Sequence, residues 1–211
     1  KGRVAGLHAA RDAFYLGDIA ATITAYHREN GGLLSAQDMA DFRVDIEPPA
    51  HTTFRDTEVY TCGFWSQGPM LLQTLNLLDG YDLAGLGHNS AAYIHTLVEA
   101  LKLCFAVRHR YYGDPRFVDV PERGLLSAEY AACRRGLISK DRAFPEMPGA
   151  GDPSRPAALA EPCEPPEPTC GPSSPGPDTS YVCTADKLGN LFSVSPSDPS
   201  YDMQVIPGTG L

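Results

Sequence analysis

The first part of the chain carries a helical pattern of apolar positions that is interrupted by turn residues. This pattern predicts a short turn and then a helix that ends near Arg28, where Asn30-Gly31-Gly32 stops it. Ser35 and Asp38 have the spacing of a capping box, in which each residue satisfies a backbone amide of the other. A second short helix is therefore predicted to run to about Phe42.

The middle of the chain predicts one strand and three helices. Residues 58–62 are typical of a strand, and Pro69 suits the first position of a helix that ends before Gly80. Further helices are predicted over 90 to about 111 and around 127–135. The apolar stripes expected to be buried are Leu71, Leu72, Leu75 and Leu78 in the first helix, and Ile94, Leu97, Val98, Leu101, Cys104 and Phe105 in the second.

The last third of the chain combines a proline cluster with a hairpin pattern. Eleven of the 19 prolines lie between positions 145 and 177, which excludes a helix or an inner strand there. Residues 145–178 are therefore predicted to form a linker or an exposed loop. Two short strands are predicted over 181–185 and 191–195, and the turn residues between them indicate a β-hairpin.

Composition narrows the class of protein. The 211 residues are 43% hydrophobic, which suffices for a core, and the formal net charge of −9 argues against a nucleic-acid-binding surface. Apolar runs are short, so no membrane span is expected, and no secretory leader pattern opens the chain. The six cysteines form no C-x-x-C pair, which argues against structural zinc. A bridge between Cys163 and Cys170 stays open, as does the compartment, whether periplasmic, secreted or cytoplasmic.

Two polar clusters are candidates for chemistry, and each has a simpler interpretation. Ser66 lies in Gly63–Gly68, where the first glycine is one residue too far for a G-x-S-x-G nucleophile elbow, so a helix cap is favoured. His95 and Glu99 lack a third ligand, so we expect a solvated helix face with an ion pair near Lys102. No metal site is expected, and because the nucleotide-binding glycine motifs are absent, no cofactor is expected either.

Thr179 is the candidate nucleophile, because it opens the predicted hairpin directly after the proline cluster. A threonine at the start of a strand is common and by itself indicates only strand propensity. A role as nucleophile requires one further event, which is cleavage of the Asp178-Thr179 bond. The freed α-amino group would have a pKa of about 7.7–8.0 and could act as a general base beside the threonine hydroxyl. The proline-rich segment upstream would give the departing end room to leave the site.

Several segments, taken in order, carry a family pattern. They are Ala13–Ala20, Gly31–Phe42, Ser66–Pro69 with Leu72–Leu78, Tyr93–Lys102 with Tyr112–Pro115, and Asp178–Tyr181 with Ala185–Asn190. In order and spacing these segments resemble the γ-glutamyltranspeptidase family of N-terminal nucleophile hydrolases. The stretch Val194–Asp198 resembles the divergent γ-glutamyltransferase-like branch of that family.

The resemblance implies an α+β fold, the four-layer αββα sandwich of N-terminal nucleophile hydrolases, of which this chain covers only a part. It implies a precursor that cuts itself between Asp178 and Thr179 into a large and a small chain. Residues 1–144 would then be the mainly helical C-terminal part of the large-chain region. Residues 145–178 would be a mobile linker, and 179–211 would start the small-chain region with a central hairpin.

The family's chemistry would place a γ-glutamyl acyl group on the Thr179 hydroxyl. Water or an acceptor amine would then resolve this acyl-enzyme, and backbone amides would stabilise the oxyanion. The expected partners are thus a small-molecule γ-glutamyl substrate, its acceptor, and the two chains of the same precursor. The resemblance makes His95 and Glu99 a helix feature of the family without a metal.

Some positions depart from the family pattern. Tyr181 stands where histidine is common, and Ser197 stands where a second, supporting hydroxyl is usually a threonine, 18 residues after the nucleophile. Pro199 replaces an asparagine used for glutamyl recognition and cannot make that side-chain contact. Substrate-binding residues are expected before Lys1 and after Leu211, so the chain resembles a middle slice. Two alternatives stay open: an acylase for another amide substrate, and a non-catalytic binding or structural domain derived from the family.

Overall fold

The computed structural model describes residues 2–155, 180–195 and 205–210. The chain divides into two compact units, one of Lys1–Ile46 with Pro172–Leu211 and the other of Glu47–Gly171, here called the first and second unit. The predicted division into large-chain region, linker and small-chain region stays a prediction. The elements in chain order are α1 (Arg3–Tyr15), α2 (Asp18–Glu29), α3 (Ala36–Asp41), β1 (Ala50–Phe54), β2 (Thr57–Thr61), α4 (Gly68–Leu78), α5 (Leu83–Leu86), α6 (Ala91–Tyr111), α7 (Glu122–Leu125), α8 (Ala128–Arg135), β3 (Val182–Ala185) and β4 (Leu191–Val194).

The helical part of the first unit contains one helix more than the sequence predicts. The helical conformation is interrupted between α1 and α2 at Gly17. An added Cβ at Gly17 would lie 2.8 Å from the Ala13 carbonyl oxygen, so this close approach to the backbone of α1 requires glycine. The predicted capping box of α3 is confirmed, because Ser35 Oγ accepts from the Asp38 amide and the Asp38 carboxylate accepts from the Ser35 amide. Among the described residues of this unit, Ala20, Ile23 and Met39 form a buried core cluster.

The second unit contains an antiparallel hairpin whose first strand the sequence did not predict. β1 pairs with β2 from Ala50 opposite Thr61 to Phe54 opposite Thr57. Only the second strand was predicted, over 58–62. The first strand, Ala-His-Thr-Thr-Phe, contains three residues that favour strands, and its burial alternates along the chain, so the prediction missed a usable signal.

Helix α6 is present as predicted, but it buries a different face. Ile94 and Val98, both in the predicted stripe, are 49% and 41% exposed. Helix α6 packs on α4 through the face that carries Ala100 and Leu103, where the small alanine allows close approach. Leu71 of α4 is likewise half-exposed, against expectation. The buried positions of α6 are Thr96, Glu99, Ala100, Leu103, Cys104, Ala106 and Val107.

The segment after α8 packs onto the helices of the second unit. The Tyr130 hydroxyl donates to the Ala150 carbonyl over 2.6 Å, and the Tyr111 hydroxyl donates to the Gly151 carbonyl over 2.7 Å. Ala150 is buried in one core cluster with Phe64. These contacts lie within the stretch predicted as a linker, so the chain is held against the unit at least at these two residues. Within the described residues, no helix is both long and apolar enough to cross a membrane.

Candidate functional site

The predicted hairpin of the first unit is confirmed. Strands β3 and β4 pair antiparallel, with Val182 opposite Val194, Cys183 opposite Ser193 and Ala185 opposite Leu191. All described residues from 180 to 195 are exposed. The hairpin follows the candidate nucleophile Thr179 in sequence, with β3 beginning three residues later at Val182.

One side chain organises the five-residue loop of this hairpin. Asp186 Oδ1 accepts from the backbone amides of Leu188 and Asn190, at 2.8 and 3.0 Å. Asp186 Oδ2 accepts from Asn190 Nδ2 at 2.8 Å, and the Asp186 amide donates to the Asn190 carbonyl at 3.0 Å. Gly189 completes the loop with a φ of 84°, a conformation that favours glycine. The hydrogen bond from the Asn190 side chain, followed by those from backbone amides, lowers the pKa of Asp186.

The residues predicted to carry the chemistry lie outside the described residues. These are Asp178 and Thr179 at the proposed cleavage point, together with the supporting Ser197. Their roles stay predictions. The Cys163–Cys170 pair and Pro199 also lie outside the described residues.

The prediction of a solvated face around Glu99 is wrong. The Glu99 side chain is only 2% exposed and its Oε1 lies 2.7 Å from Lys102 Nζ, so the predicted local ion pair exists but is largely buried. Glu99 Oε2 accepts from the Phe144 amide at 2.6 Å, and Lys102 donates to the Phe144 carbonyl at 3.2 Å. His95 Nε2 donates to the Ser139 carbonyl at 2.7 Å. The three side chains therefore hold residues 139–144 against α6.

The electrostatics of this cluster fit a structural role. Burial pushes the pKa of Glu99 upward, but the hydrogen bonds from Lys102 and the Phe144 amide outweigh it, and the pKa lies below its ordinary value. Both carboxylate oxygens already have partners. Among the described residues, no group of three or more histidine, cysteine or acidic side chains could hold a metal ion. A sequence signal for the buried pair was available in the three-residue spacing of Glu99 and Lys102.

The other candidates have the simpler roles favoured from the sequence. Ser66 Oγ donates to the Gly63 carbonyl at 2.9 Å and accepts from the Gly68 amide at 3.1 Å, so it shapes the turn into α4. Cys104 is a buried free thiol, as expected, and its burial raises its pKa to about 11. Neither side chain has the surroundings of an activated nucleophile.

Comparison with known proteins decides the family. The family model described as Gamma-glutamyltranspeptidase matches residues 6–210. The chain belongs to the γ-glutamyltranspeptidase family. Acylase ACY 1 proenzyme of Pseudomonas sp. (strain SE83) is 34% identical over 203 residues, which are 95% of this chain and 33% of the relative. Glutathione hydrolase proenzyme of Escherichia coli (strain K12) is 31% identical over 201 residues, which are 95% of this chain and 31% of the relative.

A solved structure of this γ-glutamyltranspeptidase family shares the fold. The crystal structure of Helicobacter pylori γ-glutamyltranspeptidase superposes with a TM-score of 0.62 and 30% identity, covering 65% of this chain and 40% of that one. The predicted fold class, part of an N-terminal nucleophile hydrolase fold, is thereby confirmed. The chain spans about a third of the length of the curated relatives it matches. The chain therefore matches a segment of longer proteins of an enzyme family, and these two relatives are proenzymes.

Proposed function

We propose that the complete protein is a γ-glutamyltransferase-like amidohydrolase that cleaves itself between Asp178 and Thr179. Thr179 then serves as the N-terminal nucleophile. Its α-amino group takes the hydroxyl proton, and the hydroxyl oxygen attacks the γ-glutamyl amide. The amine leaves, and water or an acceptor amine releases the γ-glutamyl group from the acyl-enzyme. Ser197 supports the nucleophile through its hydroxyl.

The match of the γ-glutamyltranspeptidase family model over residues 6–210, a range that includes Thr179 and Ser197, is the observation that carries this proposal. The hairpin that follows Thr179 in sequence is consistent with it, since β3 and β4 pair antiparallel with Cys183 opposite Ser193. Thr179 and Ser197 themselves lie outside the described residues.

The relatives support the processing step and the general chemistry. The acylase and the glutathione hydrolase are both proenzymes, and both cover the hairpin region of this chain. The Asp178-Thr179 bond lies directly before the hairpin in sequence. Cleavage of this bond would therefore leave the new N-terminus attached to the hairpin. On this proposal the large and small chains of one precursor are partners in the same active site.

The test uses the complete protein and reads intact mass together with hydrolysis of a γ-glutamyl anilide. The wild type is expected to give two chains, the smaller beginning at Thr179. Thr179→Ala should remain uncut and inactive, whereas Thr179→Ser, which keeps a hydroxyl, should still cut. Ser197→Ala should cut and turn over more slowly than the wild type. Cleavage at this bond in Thr179→Ala, or retained hydrolysis by it, would overturn the proposal.

A second function has one specific observation in its favour. The 34% identical relative is an acylase, and Pro199 cannot make the side-chain contact expected for glutamyl recognition. The same nucleophile would then act on another acyl amide. A panel of γ-glutamyl, glutaryl and peptide amides separates the two, because a clear preference for γ-glutamyl compounds removes the acylase alternative. A complete protein that stays uncut would instead favour a non-catalytic domain.

A further inference from the structure

Residues 138–153 lie against the second unit as a strap that is anchored at two separate places. The first anchor is Phe144, whose backbone amide donates to the buried Glu99 carboxylate. The second anchor is Ala150, and the two anchors pack on different core clusters of the unit. Residues 145–147 between them are exposed. Because the anchors share no contacts, one of them can open locally while the other stays closed.

The second anchor is held by two tyrosine hydroxyls. Tyr130 donates to the Ala150 carbonyl and Tyr111 donates to the Gly151 carbonyl, at 2.6 and 2.7 Å. Pro153, at the end of the strap, is buried. Both carbonyls would bond to water if this part of the strap lifted, so each tyrosine contributes only the net strength of one hydrogen bond to the closed state. Opening of the second anchor is therefore a local event of modest cost.

A small cavity lies where the two core clusters meet. Its volume is about 10 Å³, which is about the room that one water molecule needs. The buried Cys104 and the ring of Tyr130 both line it, and they belong to different core clusters. Neither Glu99 nor Phe144 lines the cavity. Tyr130 is thus part of the cavity wall and of the second anchor at once.

We infer that the second anchor of the strap controls access to this cavity and to the Cys104 thiol in its wall. When residues 150–153 lift, Tyr130 loses its acceptor and its ring can turn away from the cavity. The first anchor keeps residues 139–144 in place, because its hydrogen bonds are made with α6 side chains that do not line the cavity. The inference concerns the second unit alone and does not depend on processing at Thr179.

Two variants weaken the second anchor in different ways. Tyr130→Phe removes the hydrogen bond to Ala150 and keeps the ring in the cavity wall. Tyr111→Phe removes the hydrogen bond to Gly151, but Tyr111 does not line the cavity. Faster access in Tyr111→Phe would therefore come from the strap and not from a change in the wall.

Two matched controls leave the second anchor intact. Tyr112→Phe is the same chemical change in a ring that packs on the same core cluster as Tyr111. The Tyr112 hydroxyl donates to Gln73 Oε1, which belongs to the cavity wall and not to the strap. Glu99→Gln weakens the first anchor instead. Both controls should cost stability without opening the second anchor.

The experiment measures the rate at which iodoacetamide alkylates Cys104 in the folded, complete protein, with exposed Cys62 as the internal reference. Peptide mass spectrometry reads both sites at one fixed pH. When the strap recloses faster than the reagent reacts, the rate follows the population of the open form. Tyr130→Phe should label Cys104 about tenfold faster than the wild type, which corresponds to about 1.4 kcal/mol. Tyr111→Phe should label it about fivefold faster, and both controls should stay within about twofold.

Each other outcome overturns the inference. An unchanged rate in Tyr130→Phe would show that the strap does not control access. A faster rate in Tyr130→Phe with an unchanged rate in Tyr111→Phe would assign the effect to the cavity wall. Labelling rates that follow the loss in unfolding free energy across all variants, measured in urea, would show that Cys104 is reached only by global unfolding. If Tyr130→Phe does not fold, Tyr111→Phe against Tyr112→Phe decides the question alone.

Discussion

Glu99 provides the sharpest test of how the second unit is held together. Its carboxylate is 2% exposed and joins Lys102 to the Phe144 amide. Glu99→Ala would leave that amide without its acceptor, which costs about 1–3 kcal/mol for a buried group. It would also remove one buried methylene, worth about 0.8 kcal/mol, together with the carboxylate, and leave a small void.

The effect on Lys102 is smaller than for a fully buried pair. Breaking a buried ion pair costs about 3–5 kcal/mol, but Lys102 is 31% exposed and also donates to the Phe144 carbonyl. Its ammonium would keep water and one protein partner after the substitution. We therefore expect a total loss of about 2–4 kcal/mol in the free energy of unfolding for Glu99→Ala.

The assay is urea unfolding followed by far-UV circular dichroism and by the fluorescence of Trp65, the single tryptophan of the chain. With a urea dependence of about 2 kcal/mol per molar, the midpoint should fall by about 1–2 M. Glu99→Gln keeps an oxygen for the Phe144 amide and should lose about 1–2 kcal/mol. Glu146→Ala, at an exposed position, is the matched control and should change stability by less than about 0.5 kcal/mol.

A Glu99→Ala protein that unfolds within about 0.5 kcal/mol of the wild type would refute this expectation. That result would mean that residues 139–144 are not held by this cluster. A loss as large in Glu146→Ala would also refute it, because burial and hydrogen bonding would then not distinguish the two glutamates.

Two further predictions concern ionisation. Folding lowers the pKa of Glu99 below its ordinary value. The contribution of this ionised carboxylate to the free energy of unfolding is therefore complete above the ordinary pKa, and it is lost as pH falls through the folded pKa. The stability difference between wild type and Glu99→Gln should therefore shrink in acid, and a difference constant with pH in urea titrations would contradict this. Cys104 is buried with a pKa raised to about 11, whereas Cys62 and Cys183 are exposed. Alkylation of the native protein, mapped by mass spectrometry, should label Cys62 and Cys183 and spare Cys104, and labelling of Cys104 at the rate of Cys62 would count against its burial.

Local signals predicted the helix limits and the hairpin because their causes lie within a few residues. The Ser35–Asp38 capping box closes a single turn. The Asp186–Asn190 loop joins two strands through contacts among neighbours in sequence. β1 was missed although Thr52, Thr53 and Phe54 favour a strand, because the run is only five residues long and pairs with β2 across a short turn. Thr179 and Ser197, the predicted site residues, lie outside the described residues, and their roles stay predictions.

The sequence by itself determined the family, the helices α2, α3, α4, α6 and α8, the strand β2, and the β3–β4 hairpin. The tertiary structure decided which face of α6 is buried. That helix has apolar residues on both sides, so Ile94 and Val98 suited a core as well as Ala100 and Leu103 did. Periodicity cannot choose between two apolar faces, because the choice depends on which one the neighbouring helix can approach closely. The same choice buried Glu99, and burial made an ordinary glutamate the acceptor that fixes a distant segment.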